Sequence, residues 1–182
     1  MKPRITAGMA PQQVVGLFYS SITKFDSQAM QDCVVGGAGK SQINEATNLF
    51  VISSVRKGYE GSSGYLDAQK WIDQGEPKLK PGESVYGVAD VHTTKVGEGV
   101  YTVSYQKWEP VQVGDSNQPP SSSPAPTEVQ GFKRIDRVYL KNVGKYWAIY
   151  KIVSVENIPI SPPVVVTDES AASQSQPQNI MP

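Results

Sequence analysis

The sequence predicts an α+β fold: N-terminal helices packed on an antiparallel sheet of at least four strands. Three observations predict it. Apolar residues recur at helical spacing through the first part of the chain. From residue 84 the period changes to two, and the alternating segments fold back on two glycine-bearing turns.

The first helix lies in APQQVVGLFYSSITKFD. Pro11 suits a first helical turn, and Val14, Phe18, Ile22 and Phe25 recur on one face. Asp26 or Ser27 caps a second short helix carrying Ala29, Met30, Cys33 and Val34. Gly36, Gly37 and Gly39 end it. Ser41 then caps a third helix with Ile43, Ala46 and Phe50 on one side, whose β-branched continuation LFVISSV reads as helix or strand. GYLDAQKWIDQG is a further helical piece, with Tyr65, Ala68 and Ile72 in step and Trp71 beside them.

SVYGVADVHTTKVGEGVYTVSYQKWEP reads as two strands about a turn at Gly97 and Gly99. GFKRIDRVYLKNVGKYWAIYKIVSV repeats the design about Asn142 to Lys145. The resulting plan is a flexible opening at 1–9 and a single α+β domain at 10–156. A Pro/Ser-rich loop interrupts that domain at about 112–129, and a disordered tail follows at 157–182. The helices are expected on one face of the sheet.

Composition narrows the function classes. Among 182 residues, Lys plus Arg equals Asp plus Glu at 17 each, and no dense basic run appears, so nucleic acid is not an expected partner. One cysteine, Cys33, and one histidine, His92, leave no disulfide framework, no multi-histidine or Cys-based metal site, and no cofactor signature. No apolar h-region follows Lys2 and Arg4, and no apolar run approaches ~18 residues, so no transmembrane segment is expected. The chain as given reads as soluble, with the compartment open: cytoplasmic, or extracytoplasmic behind a removed signal or anchor.

CVVGGAGKSQINEA, residues 33–46, spells like a phosphate loop. A Walker loop needs G-x-x-x-x-G-K-[ST] after a buried parallel strand, so that backbone N–H groups wrap the phosphates. Aligned on Gly39, Lys40 and Ser41, the first glycine falls at Val34, and a helix-patterned stretch precedes it. The loop therefore reads as a break between two helices.

The order of elements carries a resemblance. PQQVVGLFYSSITKFDSQAMQDCV has Pro11 at a helix start, the aromatic pair Phe18 and Tyr19, and Asp26 before a second short helix. It resembles the opening of the nuclear transport factor two-like superfamily, which includes ketosteroid isomerase, scytalone dehydratase and many uncharacterised bacterial domains. VGKYWAIYKIVSV is similar to that family's closing hairpin strand. The resemblance spans about residues 10–156, while the extra helix and proline-rich loop depart from a minimal member. It implies a curved sheet wrapped around helices, a cone-like roll open at one end for a small apolar ligand, and dimerisation through the back of the sheet.

The last strand supports a homodimer on its own pattern. Trp147, Ile149, Val153 and Val155 fall on one face, and Tyr146, Ala148, Tyr150 and Ile152 on the other. Two apolar faces need two covers: the helices, and a second subunit or the chain's own loop. Tyr146, Tyr150 and Ile152 are the interface candidates. The catalytic families use acid–base side chains inside the cone, for which this chain offers His92, Asp90 and Asp136. The apolar side of that first hairpin strand, Val85, Ala89 and Val91, is expected to face the helices, which turns Asp90 and His92 outward. Tyr105, Tyr139 and Trp71 are candidate ligand contacts, and Cys33 is a small buried apolar residue. The leading reading is a non-enzymatic binding or assembly domain engaging a small apolar ligand or a protein partner. The alternative is a small lyase or isomerase.

Overall fold

The structure, a computed structural model, describes residues 4–111 and 128–160, together with the backbone of 164–165. It is α+β, with helices first and then a mixed, open sheet. Helix α1 (Pro11–Thr23) opens on Pro11, and the Gln13 side chain reaches back to accept from the Ala10 N–H at 2.8 Å. Its buried face is Val14, Val15, Phe18, Tyr19 and Ile22. Each apolar side chain there contributes about 1.5–3 kcal/mol of transfer free energy. Helix α2 (Ser27–Asp32) is capped by Asp26, whose carboxylate accepts from Ala29 N at 3.0 Å.

Helix α3 (Lys40–Glu60) differs from expectation at its start. Its N-cap is Gly39 in the left-handed region (φ 67°), and Ser41 bonds sideways to Gln42. A Cβ on Gly39 would stand 2.8 Å from Phe18 Cζ, so both backbone and packing require glycine. The whole of LFVISSV is helical. With Gly39 and Gly61 bracketing 21 residues, the helix runs through without interruption, and the β-branched residues stay in water for want of a strand partner.

Strand β1 (Tyr65–Asp67) replaces the expected helical reading of Tyr65 and pairs in parallel with β2 (Ser84–Gly97). Tyr65 is held by Phe25 and Tyr86, an aromatic cluster that overrides its local spacing. Asp67 caps helix α4 (Ala68–Asp73) through Gln69 N and Lys70 N. Strands β3 (Val100–Pro110), β4 (Glu128–Asn142) and β5 (Trp147–Pro159) follow antiparallel, in the order β1-β2-β3-β4-β5. The two-residue β6 (Val164–Val165) pairs with β4.

Alternation sorts two cores onto opposite faces. The front, under α1, holds Tyr86, Val88, Tyr101, Val103, Tyr105, Val138, Leu140 and Ile149. The back, at the β2–β3–β4 end, holds Val85, Trp108 and Val129 under Ala68 and Trp71 of α4. Helices therefore cover both faces, contrary to the one-faced expectation.

Two bulges re-aim β5. Register slips between Ile135 and Asp136 and between Tyr139 and Leu140. Ile149 and Ile152 consequently both face the core, while Tyr150, Val153 and Val155 face solvent. A strict two-residue period had set Ile149 and Ile152 on opposite faces.

The expected flexible opening is tied down from Arg4 onward. Arg4 Nη1 donates to Asp32 O at 3.2 Å and Val34 O at 3.1 Å, and Thr6 is fully buried. Strand β5 runs past the expected domain end at 156, and Glu128 and Val129 belong to β4 rather than to a loop. The rest of the Pro/Ser-rich loop and most of the expected tail lie outside the described residues. Among the described residues no helix is long and apolar enough to cross a membrane.

Candidate functional site

A polar layer crosses the front face where α1 and α3 meet the sheet. β3 sends Tyr101, Val103, Tyr105 and Lys107 inward on alternate positions, and β4 sends Arg134, Asp136 and Val138 opposite them. Asp136 is 3% exposed and accepts from Tyr19 Oη at 2.6 Å and Tyr105 Oη at 2.7 Å, both on Oδ2. The two rings stand 5.0 Å apart. Burial first, and then the Asp136 charge, push both phenols above their ordinary range, against the opposing pull of Arg134. The phenols therefore stay protonated and act as donors.

Beside this trio sits a buried cation. Lys107 Nζ donates to Glu45 Oε1 at 2.9 Å and Glu109 Oε2 at 3.3 Å, and lies 4.6 Å above the Tyr86 ring. The Tyr86 hydroxyl donates to the same Glu45 oxygen. Burial raises the Tyr86 phenol, and the Glu45 hydrogen bond and charge raise it further. Burial also opposes ionisation of Glu45. Lys107, the Tyr86 hydroxyl and Arg134 outweigh that, and its carboxyl sits below the usual value.

A cavity of about 20 Å³, bordered by Ile22, Tyr105, Lys107 and Arg134, separates the two clusters. It has room for about one water molecule. Glu45 and Tyr86 also line an open groove of about 610 Å³ between α3 and the ends of β2 and β3, with Asn48, Leu49, Ile52 and Pro110 on its walls. A second open cavity, about 410 Å³, lies at the glycine loop between Arg4, Gln31, Gly36, Gly37 and Lys40. That loop joins α2 to α3, and Val34 makes a single parallel bridge with Ile149, which is not the buried strand a Walker loop follows.

The sequence candidates scatter. Asp136 and Tyr105 meet in the front core. His92 is exposed across from Ser104 on the back of the sheet. Asp90 occupies a bulge at φ 51°, where its N–H donates to Gln69 of α4 and its carboxylate accepts from Gln106. Asp90 and Asp136 thus lie on opposite sides of the sheet. Trp71 packs on Trp108 at 5.2 Å and donates to Pro77 O, inside the second core and away from the groove. Tyr139 stands on the back, 6.2 Å from Tyr150. Of the interface candidates, Tyr150 is exposed, Tyr146 lies 4.6 Å beneath the Arg4 guanidinium, and Ile152 packs on the core. The three do not form one surface, because the bulge at Tyr150 turns Ile152 inward.

Sequence reasoning missed Tyr19, Glu45, Tyr86, Lys107, Glu109 and Arg134. One signal was readable: Lys107 extends the inward run Tyr101, Val103, Tyr105, and a cation continuing an apolar alternation marks a buried charge in need of a counterion. Among the described residues no group of three His, Cys, Asp or Glu is placed to hold a metal ion.

No known protein family, no curated protein and no solved structure matches the chain.

Proposed function

We propose that this chain is a non-enzymatic binding and assembly domain of the nuclear transport factor two-like, cone-like class. It works as a homodimer and seats a small apolar ligand or the apolar segment of a protein partner in the groove beside α3. One observation carries the reading. Phe50, Val51, Ile52, Val55 and Tyr59 of α3 are 56%, 55%, 46%, 53% and 89% exposed. Val51, Val55 and Tyr59 follow at four-residue steps, so they form a stripe along one side of the helix. Their exposed area is on the order of 500 Å², the scale of an interaction patch. A second copy is the occupant we assign to the stripe. An amphipathic helix pairs with its own copy across a two-fold axis, and Ile52 also lines the groove, so dimer and ligand seat adjoin.

Light scattering or sedimentation tests it. The 19.8 kDa chain is expected to run at twice its mass, and Ile52→Glu with Val55→Glu is expected to run as a monomer with unchanged circular dichroism. A monomeric wild type would overturn the assembly reading.

The lyase or isomerase alternative has one observation in its favour: Tyr105 and Arg134 border the small cavity while Tyr105 bonds Asp136. Against it, Asp136 is buried and its Oδ2 already accepts two phenol hydrogens within the core, so that oxygen is not open to a substrate.

A further inference from the structure

The back of the sheet carries a charge pattern that the neutral composition conceals. Along β4, Lys133, Ile135, Arg137, Tyr139 and Lys141 occupy alternate positions and point away from α1, opposite to Arg134, Asp136 and Val138. Lys151 of β5 stands directly across from Tyr139. All four cations are exposed, and none lies within ion-pair distance of a carboxylate among the described residues. Two acids border this surface: Glu156 stands across from Ile135, and Asp90 accepts from Gln106 at its α4 edge. Two tyrosine rings are set among the cations: Tyr139 and Tyr150 are 6.2 Å apart, with Lys151 Nζ 5.4 Å over the first and Lys141 Nζ 5.6 Å over the second. On the neighbouring strand Thr102, Ser104 and Gln106 pair with Arg137, Ile135 and Lys133, which adds a row of hydrogen-bonding groups.

We propose that this sheet face binds a single-stranded nucleic acid. Lys133, Arg137 and Lys141, along a track of about 26 Å, together with Lys151 on the next strand, meet the phosphates, and the two tyrosines offer planes on which unpaired bases stack. Both halves of such recognition, charge and stacking, are present on one face of the sheet. A second copy of this chain is a poor occupant, because a face-to-face pair sets these cations against their equals. An acidic protein has no use for the ring planes, and an anionic membrane favours apolar groups that project beyond the cations rather than lie between them.

The test is fluorescence anisotropy of the full chain with labelled oligothymidylate and oligouridylate of about 20 nucleotides. Four phosphate contacts give a slope of log Kobs against log salt of about −3, which is about a 50-fold loss between roughly 50 and 200 mM salt. Arg137→Gln is expected to reduce the slope to about −2. Tyr139→Ala and Tyr150→Ala are each expected to weaken binding between about 5-fold and about 150-fold, and Tyr139→Phe to leave it unchanged. Arg137 and Tyr150 are exposed and Tyr139 is half-buried, and circular dichroism checks that the variants keep the fold. No binding at low salt would overturn the proposal, as would a slope indifferent to Arg137→Gln. Full affinity in both tyrosine-to-alanine variants would reduce the face to a general polyanion surface and also overturn it. So would co-sedimentation with phosphatidylserine vesicles that oligonucleotide does not compete. The α3 variants leave this binding intact and the sheet variants leave the dimer intact, so the two proposals fail separately.

Discussion

Replacing Lys107 by Met probes the polar layer at its most loaded point. The side chain is 5% exposed, with Nζ at 2.9 Å from Glu45 and 3.3 Å from Glu109. At an effective dielectric of about 20 these separations correspond to gross attractions of about 6 and about 5 kcal/mol. Desolvation of the three ions offsets most of that. Removing one partner of a buried pair nonetheless costs about 3–5 kcal/mol, because the remaining charge is stranded. Here Glu45 and Glu109 keep 41% and 31% of their side-chain exposure, so water takes over part of the role. The expected loss at about pH 7 is therefore about 2–3 kcal/mol.

The loss depends on pH with a definite sign. Glu45 has a lowered folded pKa, burial being outweighed chiefly by Lys107. Such a group contributes stability that is full above its unfolded value of about 4.3 and is lost as pH falls through the folded value. Without Lys107 the chief lowering influence on Glu45 is gone, so the difference between wild type and variant narrows in acid. Urea denaturation followed by far-UV circular dichroism, at about pH 7 and about pH 3, measures both ends. A neutral-pH loss below about 1 kcal/mol, or an equal loss at the two pH values, would refute the reasoning.

Two further outcomes follow from the front core. Tyr19→Phe and Tyr105→Phe each remove one donor from Asp136 Oδ2, and each is expected to cost about 1.5–3 kcal/mol in urea denaturation. Because both donors share one oxygen, the double variant is expected to depart from additivity by at least about 0.5 kcal/mol, and a strictly additive cycle would show that the two bonds are independent. The Cys33 thiol is fully buried, and burial first, then the Asp32 charge, push it up to about 12. It is expected to resist a disulfide-exchange reagent at about pH 8 in the native protein and to react fully in denaturant, and prompt native labelling would contradict its burial.

The parts of the fold legible in the sequence are those set by short-range periodicity. Pro11 with Val14, Phe18 and Ile22 marks α1, Asp26 marks α2, and the glycines at 99 and 144 mark the two hairpin turns, because each depends on local dihedrals and one buried face. Tyr65 was misread as helical because its partners Phe25 and Tyr86 are remote in the chain. The stripe on α3 was missed for a related reason: β-branched residues predict strand only when a strand partner exists.

What the sequence by itself determined is the class: helices, then hairpins, with balanced charge and a glycine break in place of a phosphate loop. Only the tertiary structure decided which faces meet. Two bulges, which no two-residue pattern contains, turned Ile152 inward and Tyr150 out. Strand pairing across 31 residues, and helix docking across 117, brought Tyr105 and Tyr19 onto Asp136. The basic face was hidden for a simple geometric reason: alternate residues of β4 point to opposite sides. Lys133, Arg137 and Lys141 are therefore diluted in the sequence by Arg134, Asp136 and Val138, and become neighbours only once the strand is extended within a sheet.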